Sequence, residues 1–183
     1  TFEAQGTAVL LDATALGISA TDDIDGAVAV MLSPSSVSGL GSHAVTATAS
    51  DAAGNVATAT FTVELIDTVA PSFDALGVTL ESTSGRYRCT STVEATVNAA
   101  VSDANDAAPS VRIVSVESAD EPRHCGWRRF APEFEITGDL TVDFRTNFFS
   151  RWCPKNYVLT FEATDASGNA SGTSDRTRGS SAR

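Results

Sequence analysis

The stretch HAVTATASDAAGNVATATFTVEL, residues 43–65, decides the fold of this chain. Apolar and polar residues alternate along both of its arms, as in Val45-Thr46-Ala47-Thr48. A period of two is typical of strands with one buried face. Gly54, between the arms, supplies the positive φ that a short hairpin loop needs. The stretch therefore predicts an antiparallel hairpin.

The turn of this hairpin occurs a second time in the chain. ASDAAGN at residues 49–55 returns as ATDASGN at 163–169, and the acidic segment TDDID at 21–25 returns as SDAND at 102–106. An internal repeat of this kind predicts two tandem domains of one fold.

The spacing between the two copies shows that the second one is longer. Asp103 follows Asp22 by 81 residues, whereas Asp165 follows Asp51 by 114. We therefore predict an insertion at about 119–155 in the second domain.

Short strands separated by turn residues are predicted along both repeats. No segment shows the helical period over 10–15 residues, so the pattern predicts an all-β chain of two tandem Ig-like antiparallel β-sandwich domains. The predicted strands are 8–11, 17–21, 27–32, 43–50 and 56–65 in the first repeat, and 77–80, 93–101, 110–117, 133–144 and 157–163 in the second.

The break between the domains is predicted at IDTVAP, residues 66–71, because Pro71 cannot donate a ladder hydrogen bond. We assign a first domain to 1–68, a second to 69–175 and a flexible tail to 176–183. Residues 170–183 contain almost no apolar side chains. The second domain is therefore predicted to lack a good final strand and to expose a sheet edge.

Charge excludes several classes of partner. The net charge is −11, and residues 1–85 contain ten Asp and Glu but no Lys or Arg. Such a surface repels phosphate backbones, so we expect no nucleic-acid binding.

No apolar run approaches the ~20 residues that a membrane-spanning helix needs, so no membrane insertion is expected. Divalent cations remain compatible with this charge.

The repeated acidic segments form a candidate metal site. In an Ig-type sandwich, the loop after the second strand and the final hairpin loop share one end, so their oxygens would converge as Ca²⁺ requires. Asp and Asn also form tight turns by bonding their own backbone, and both roles stay open. The candidates are Asp22, Asp23, Asp25, Asp51 and Asn55 in the first repeat, Asp103, Asn105, Asp106, Asp165 and Asn169 in the second, and Asp67 in the linker.

Two basic aromatic segments, 123–130 and 144–153, form a candidate partner surface. Their Trp and Arg side chains are typical of binding hot spots and could stack on sugar rings. Alternatively, both Trp side chains fill a small satellite core with Arg stacked on the rings. The candidate residues are Trp127, Arg128, Arg129, Phe148, Phe149 and Trp152.

Three cysteines allow at most one intramolecular disulfide. We predict Cys125–Cys153, since both residues lie in the insertion, and the state of Cys89 stays open.

The chain resembles tandem Ig-like modules of the hyalin-repeat type over essentially all of residues 1–71. The second repeat is similar at 102–109 and 157–169 and departs from the pattern between roughly 119 and 155. The resemblance implies a secreted, non-catalytic module of a cell-surface or adhesive protein. The matching segments of the first repeat are Phe2-Glu3-Ala4, Asp22-x-x-Asp25-Gly26, Gly41-Ser42-His43-x-Val45, Asp51-Ala52-Ala53-Gly54-Asn55 and Asp67-x-x-Ala70-Pro71.

Catalysis has little support in the sequence. The two histidines, His43 and His124, fall in different repeats, and no nucleophile, metalloprotease or phosphate-loop motif is present. We predict a rigid extracellular spacer or presentation module, whose partners are other domains of the same chain or neighbouring subunits. The alternatives are a filament or surface-layer subunit that assembles by β-strand exchange and a carbohydrate-binding accessory module of a secreted enzyme.

Overall fold

The computed structural model describes residues 1–83, 90–119, 134–147 and 155–179. The chain forms two compact units, Thr1–Thr68 and Val69–Arg183. The described residues are all-β, and they contain no helix long and apolar enough to cross a membrane.

The first unit contains eight strands among short turns. They are β1 (Phe2–Glu3), β2 (Val9–Leu10), β3 (Ala20–Asp22), β4 (Gly26–Val28), β5 (Val30–Ser33), β6 (Ser36–Val37), β7 (Gly41–Ser50) and β8 (Val56–Ile66). The predicted strand 27–32 is thus divided between β4 and β5 at Ala29.

The predicted hairpin of residues 43–65 is β7 and β8. It lies in the middle of a four-stranded sheet with the order β1-β8-β7-β5, in which β1 is parallel to β8. The alternating apolar residues of the hairpin point inward, and Val45, Val63 and Leu65 are buried with Ala4 and Val37. Because so few residues are buried, this core is small, as expected for a unit of this length.

The second unit contains seven strands among the described residues. They are β9 (Ser72–Thr83), β10 (Thr90–Ser102), β11 (Ser110–Ser118), β12 (Phe134–Gly138), β13 (Thr141–Asn147), β14 (Lys155–Thr164) and β15 (Ala170–Gly179).

These strands form two sheets with the orders β12-β13-β10-β9 and β11-β14-β15. Numbered along the chain from A to G, the orders are D-E-B-A and C-F-G, which is the arrangement of a constant-type Ig sandwich. The core is larger than that of the first unit and rich in aromatic side chains. The rings of Phe144 and Tyr157 lie 4.5 Å apart between centroids, and Phe161 is fully buried.

The predicted absence of a final strand in the second domain is wrong. β15 pairs with β14 in ten consecutive register positions, from Ala170 opposite Thr164 to Gly179 opposite Lys155. Backbone hydrogen bonds do not require apolar side chains, and exposed and half-buried residues alternate along 170–175. The segment assigned to a tail at 176–183 therefore begins within a strand, and β15 covers the edge of β14 that a missing strand would expose.

The predicted insertion contains two strands of the sandwich. β12 and β13 both lie between 119 and 155, and β13 pairs with β10 over seven register positions. Val142 and Phe144 on β13 are buried in the core. Although this segment differs in sequence from the hyalin-repeat pattern, it therefore contributes strands to the β-sandwich.

Candidate functional site: the acidic turns

The turn between β3 and β4 is built by a carboxylate that bonds its own backbone. Asp22 Oδ1 accepts hydrogen bonds from the backbone N–H of Ile24 at 2.8 Å and of Asp25 at 3.0 Å. Gly26 then takes a φ of 72°, which leads the chain into β4. The N–H groups of Asp25 and Ile24 stabilise the ionised carboxylate and lower the pKa of Asp22.

The turn between β7 and β8 uses an Asp–Asn pair. Asp51 Oδ1 accepts from the backbone N–H of Asn55 at 2.7 Å, and Oδ2 accepts from its side-chain amide at 2.6 Å. Gly54 between them has a φ of 91°. The side-chain amide of Asn55 is the main cause that lowers the pKa of Asp51, and backbone N–H groups of the turn add to it.

One hydrogen bond joins these two turns. Asp25 Oδ2 accepts from the backbone N–H of Ala52 at 2.8 Å, across 27 residues of sequence. As a result, carboxylate oxygens of Asp22, Asp25 and Asp51 lie within 4.8 Å of one another. The two loops therefore share one end of the first unit.

The second unit builds the same pair of turns from the repeated segments. Asp103 Oδ1 accepts from the N–H groups of Asn105 at 2.8 Å and Asp106 at 2.9 Å. Asp165 accepts from the backbone N–H of Asn169 at 2.8 Å and from its side-chain amide at 2.9 Å. These contacts match those of Asp22 and Asp51 atom for atom.

The bond between the turns is repeated as well. Asp106 Oδ2 accepts from the backbone N–H of Ala166 at 2.9 Å, and Asp103 and Asp165 offer oxygens within 4.8 Å of each other. Asp165 is 6% exposed. Burial, the largest influence, raises its pKa, but the hydrogen bonds from Asn169 and the turn backbone outweigh it, so the pKa is lowered overall.

The predicted metal ligands thus meet in part. Asp22, Asp25 and Asp51 come together, and Asn55 is bonded to Asp51. Asp23 is exposed in the same turn and does not belong to that group.

The turn-forming role of these carboxylates is visible in every hydrogen bond given above. The bonds from Ile24 and Asp25 to Asp22 use Oδ1, the bond to Asp25 uses Oδ2, and the bonds to Asp51 use both of its oxygens. The three carboxylates together offer the hard oxygen ligands that a divalent cation prefers. Residues 1–85 contain no Lys or Arg that could neutralise the three carboxylates. The arrangement is therefore chemically suited to a cation as well as to a turn.

The candidate partner surface and the disulfide fall outside the described residues. These are Trp127, Arg128, Arg129, Phe148, Phe149 and Trp152, together with Cys89, Cys125 and Cys153. Both stay predictions.

Sequence reasoning did not find two features of the first unit. One is the Asp25–Ala52 bond, for which the repeat of the acidic segments was the available signal. The other is the contact of Glu3 with Thr68. Glu3 Oε1 accepts a hydrogen bond from the backbone N–H of Thr68 at 2.9 Å, and Glu3 Oε2 accepts one from the Thr68 hydroxyl at 2.7 Å. No local pattern marks this contact, because 65 residues separate its partners.

The sheet orders and turn geometry define modules of the Ig-like β-sandwich class. Residues 5–65 match the model of the HYR domain, which confirms the predicted hyalin-repeat resemblance for the first unit. HYR domains are non-catalytic repeat modules that occur in extracellular proteins. A comparison with curated proteins found no match for the chain.

Proposed function

We propose that this chain is a non-catalytic, extracellular spacer module whose sandwich units resist deformation and present other parts of a cell-surface or adhesive protein. The HYR match supports the extracellular repeat class. The mechanical role is supported by how the ends of the first unit are joined.

The observation that carries the proposal is the pairing of the first and last strands of that unit. β1 runs parallel to β8, with Phe2 opposite Leu65 and Glu3 opposite Ile66. When the two ends of the unit are pulled apart, parallel neighbouring strands slide along each other, so their hydrogen bonds break together rather than one by one. The contact of Glu3 with Thr68 adds two charge-assisted bonds at this position.

Forced unfolding of the full chain, with handles at the two ends of the first unit, tests the proposal. We expect one abrupt unfolding step for this unit, at a lower force in Glu3→Ala than in wild type. Glu64→Ala, which removes a nearby acidic side chain outside this contact, should leave the force unchanged. Gradual extension of the wild-type unit at low force would refute a spacer role.

We further propose that Ca²⁺ binds Asp22, Asp25 and Asp51 and stiffens their end of the first unit. The convergence of three carboxylates without a basic neighbour in residues 1–85 favours this second role. The carbohydrate-binding alternative depends on side chains outside the described residues, and no described contact favours it.

A further inference from the structure

The outer edge of β8 is unpaired over most of its length. β8 pairs with β7 in ten consecutive positions without a bulge, and β1 pairs only with Leu65 and Ile66. Within 1–83, 90–119, 134–147 and 155–179, no other strand pairs with β8. Residues 56–60 are exposed. We call Val56–Val63 the open edge.

The hydrogen bonds at both ends of β8 show which residues face this edge. The N–H of Asp51 donates to the carbonyl of Asn55, and bonded pairs alternate along an antiparallel ladder, so odd-numbered residues of β8 bond to β7. The N–H of Ala4, on the other side, donates to the carbonyl of Ile66. The even-numbered residues from 56 to 64 therefore direct their N–H and C=O groups outward.

The open edge lacks the features by which proteins prevent edge pairing. Residues 56–63 contain no charge and no proline, and the β7–β8 register has no bulge that would turn the edge away. The face of β8 that points toward the core is also incompletely covered by the rest of the unit, because Ala57 and Ala59 are exposed and Phe61 is half-buried.

We propose that the open edge binds the open edge of a second copy of this chain, in an antiparallel register centred on Thr60. This surface is independent of the spacer role. On the outer face, Thr60 would lie opposite its own copy and Thr58 opposite Thr62, and Thr–Thr pairs are favourable across strands.

On the inner face, the large side chain of Phe61 would lie opposite the small Ala59 of the second copy. On the outer face, Glu64 would lie opposite Val56, so no two like charges face each other in the register. β1 pairs with β8 at Leu65 and Ile66, so the strand pairing between the two copies ends before Leu65. The edge can thus pair with its own copy without a pair of large side chains or of like charges facing each other.

The net charge of the chain predicts how the association of two copies depends on salt concentration. Each copy carries a net charge of −11, so repulsion opposes association at low ionic strength and is screened at high ionic strength. In sedimentation equilibrium of the full chain, the weight-average mass should rise from 18.9 kDa toward twice that value with concentration. The rise should begin at lower concentration in about 1 M NaCl than in about 0.1 M.

Two substitutions of Thr60 test the edge itself. Thr60→Pro removes an outward N–H without removing a bond to β7, and Thr60→Lys places two positive charges opposite each other. Both should stay at 18.9 kDa under conditions where wild type dimerises. Ala44→Lys adds the same charge on the same face, one strand away from the edge, and should dimerise like wild type.

A wild-type chain that stays monomeric up to about 1 mM would overturn the proposal, since its dissociation constant would then exceed about 1 mM. Dimerisation of Thr60→Lys equal to that of wild type would also overturn it, because another surface or partner strand would then be responsible. Thr60→Lys keeps every backbone bond of the strand, so it decides the question even if Thr60→Pro does not fold.

Discussion

The carboxylate of Asp25 accepts a hydrogen bond from the backbone N–H of Ala52 at 2.8 Å, and this bond holds two separate turns of the first unit together. The second unit repeats it between Asp106 and Ala166 at 2.9 Å. The two carboxylates are 81 residues apart and the two donors 114 apart, so the contact is retained although the chain between the partners differs in length. The acidic segments are therefore structural parts of both sandwiches.

Removal of this bond should destabilise the first unit. We expect Asp25→Ala to cost about 1 kcal/mol, because the hydrogen bond to this exposed carboxylate is partly screened by solvent. The small core of this unit leaves little stability to offset the loss. Asp25→Asn keeps an acceptor oxygen and should cost less, and Asp23→Ala in the same turn should change little. Urea unfolding measures all three; equal stabilities of the Asp25→Ala and Asp23→Ala variants would contradict the account.

Stability should fall in acid because of the same turns. The pKa values of Asp22, Asp51 and Asp165 are lowered in the folded chain. A group of this kind stabilises the fold above its unfolded pKa of about 3.9, and the contribution is lost as the pH falls through the lower folded value. The free energy of unfolding should therefore drop below about pH 4.

Asp51→Asn separates this effect from the titration of the other carboxylates. The variant has no charge to lose at position 51, so its stability should fall less steeply with acid than that of wild type. Identical pH slopes in the two proteins would show that the Asp51–Asn55 pair contributes nothing.

Calcium should raise the melting temperature if it binds the first unit. For a dissociation constant of about 0.1–1 mM, typical of extracellular modules, about 10 mM Ca²⁺ adds roughly 1.4–2.7 kcal/mol. Asp25→Asn keeps the bond acceptor but loses the charge, so its response should be smaller. Asp23→Asn, outside the group of three, should respond like wild type. The same melting temperature in calcium and in EDTA would refute the metal site and leave the turn role intact.

The packing of the second unit's core predicts stability changes that do not depend on the acidic turns. Phe161 is fully buried between the two sheets, so Phe161→Ala should cost about 3–5 kcal/mol. Val114 on β11 is 48% exposed, and Val114→Ala should change stability by less than about 0.5 kcal/mol. Chemical denaturation compares the two, and similar losses would mean that the core is misplaced.

Local patterns predicted the strands wherever side chains alternate. The β7–β8 hairpin and the break at 66–71 follow from alternation, Gly54 and Pro71, which act over a few residues. β15 was missed because its Ser, Thr and Gly residues carry no apolar period; its order comes from hydrogen bonds to β14. The segment 133–144 was predicted as one strand because the turn at 139–140 interrupts the chain only briefly.

The candidate site was predictable in its residue types but not in its contacts. Repetition of the acidic segments indicates Asp22, Asp25 and Asp51 as candidates. The pairing of Asp25 with Ala52, and of Glu3 with Thr68, depends on how distant strands are arranged. No local property of these residues encodes that arrangement.

Hydrogen exchange at the amides of Ala52 and Ala166 tests most directly whether acidic side chains lock the turns of both units. Both amides lie in short surface turns, where an N–H without a partner exchanges rapidly. We expect slow exchange at both positions, with Asp25→Ala accelerating exchange at Ala52 and Asp106→Ala accelerating it at Ala166. Exchange of the wild-type amides at the rate of an unstructured peptide would contradict this expectation.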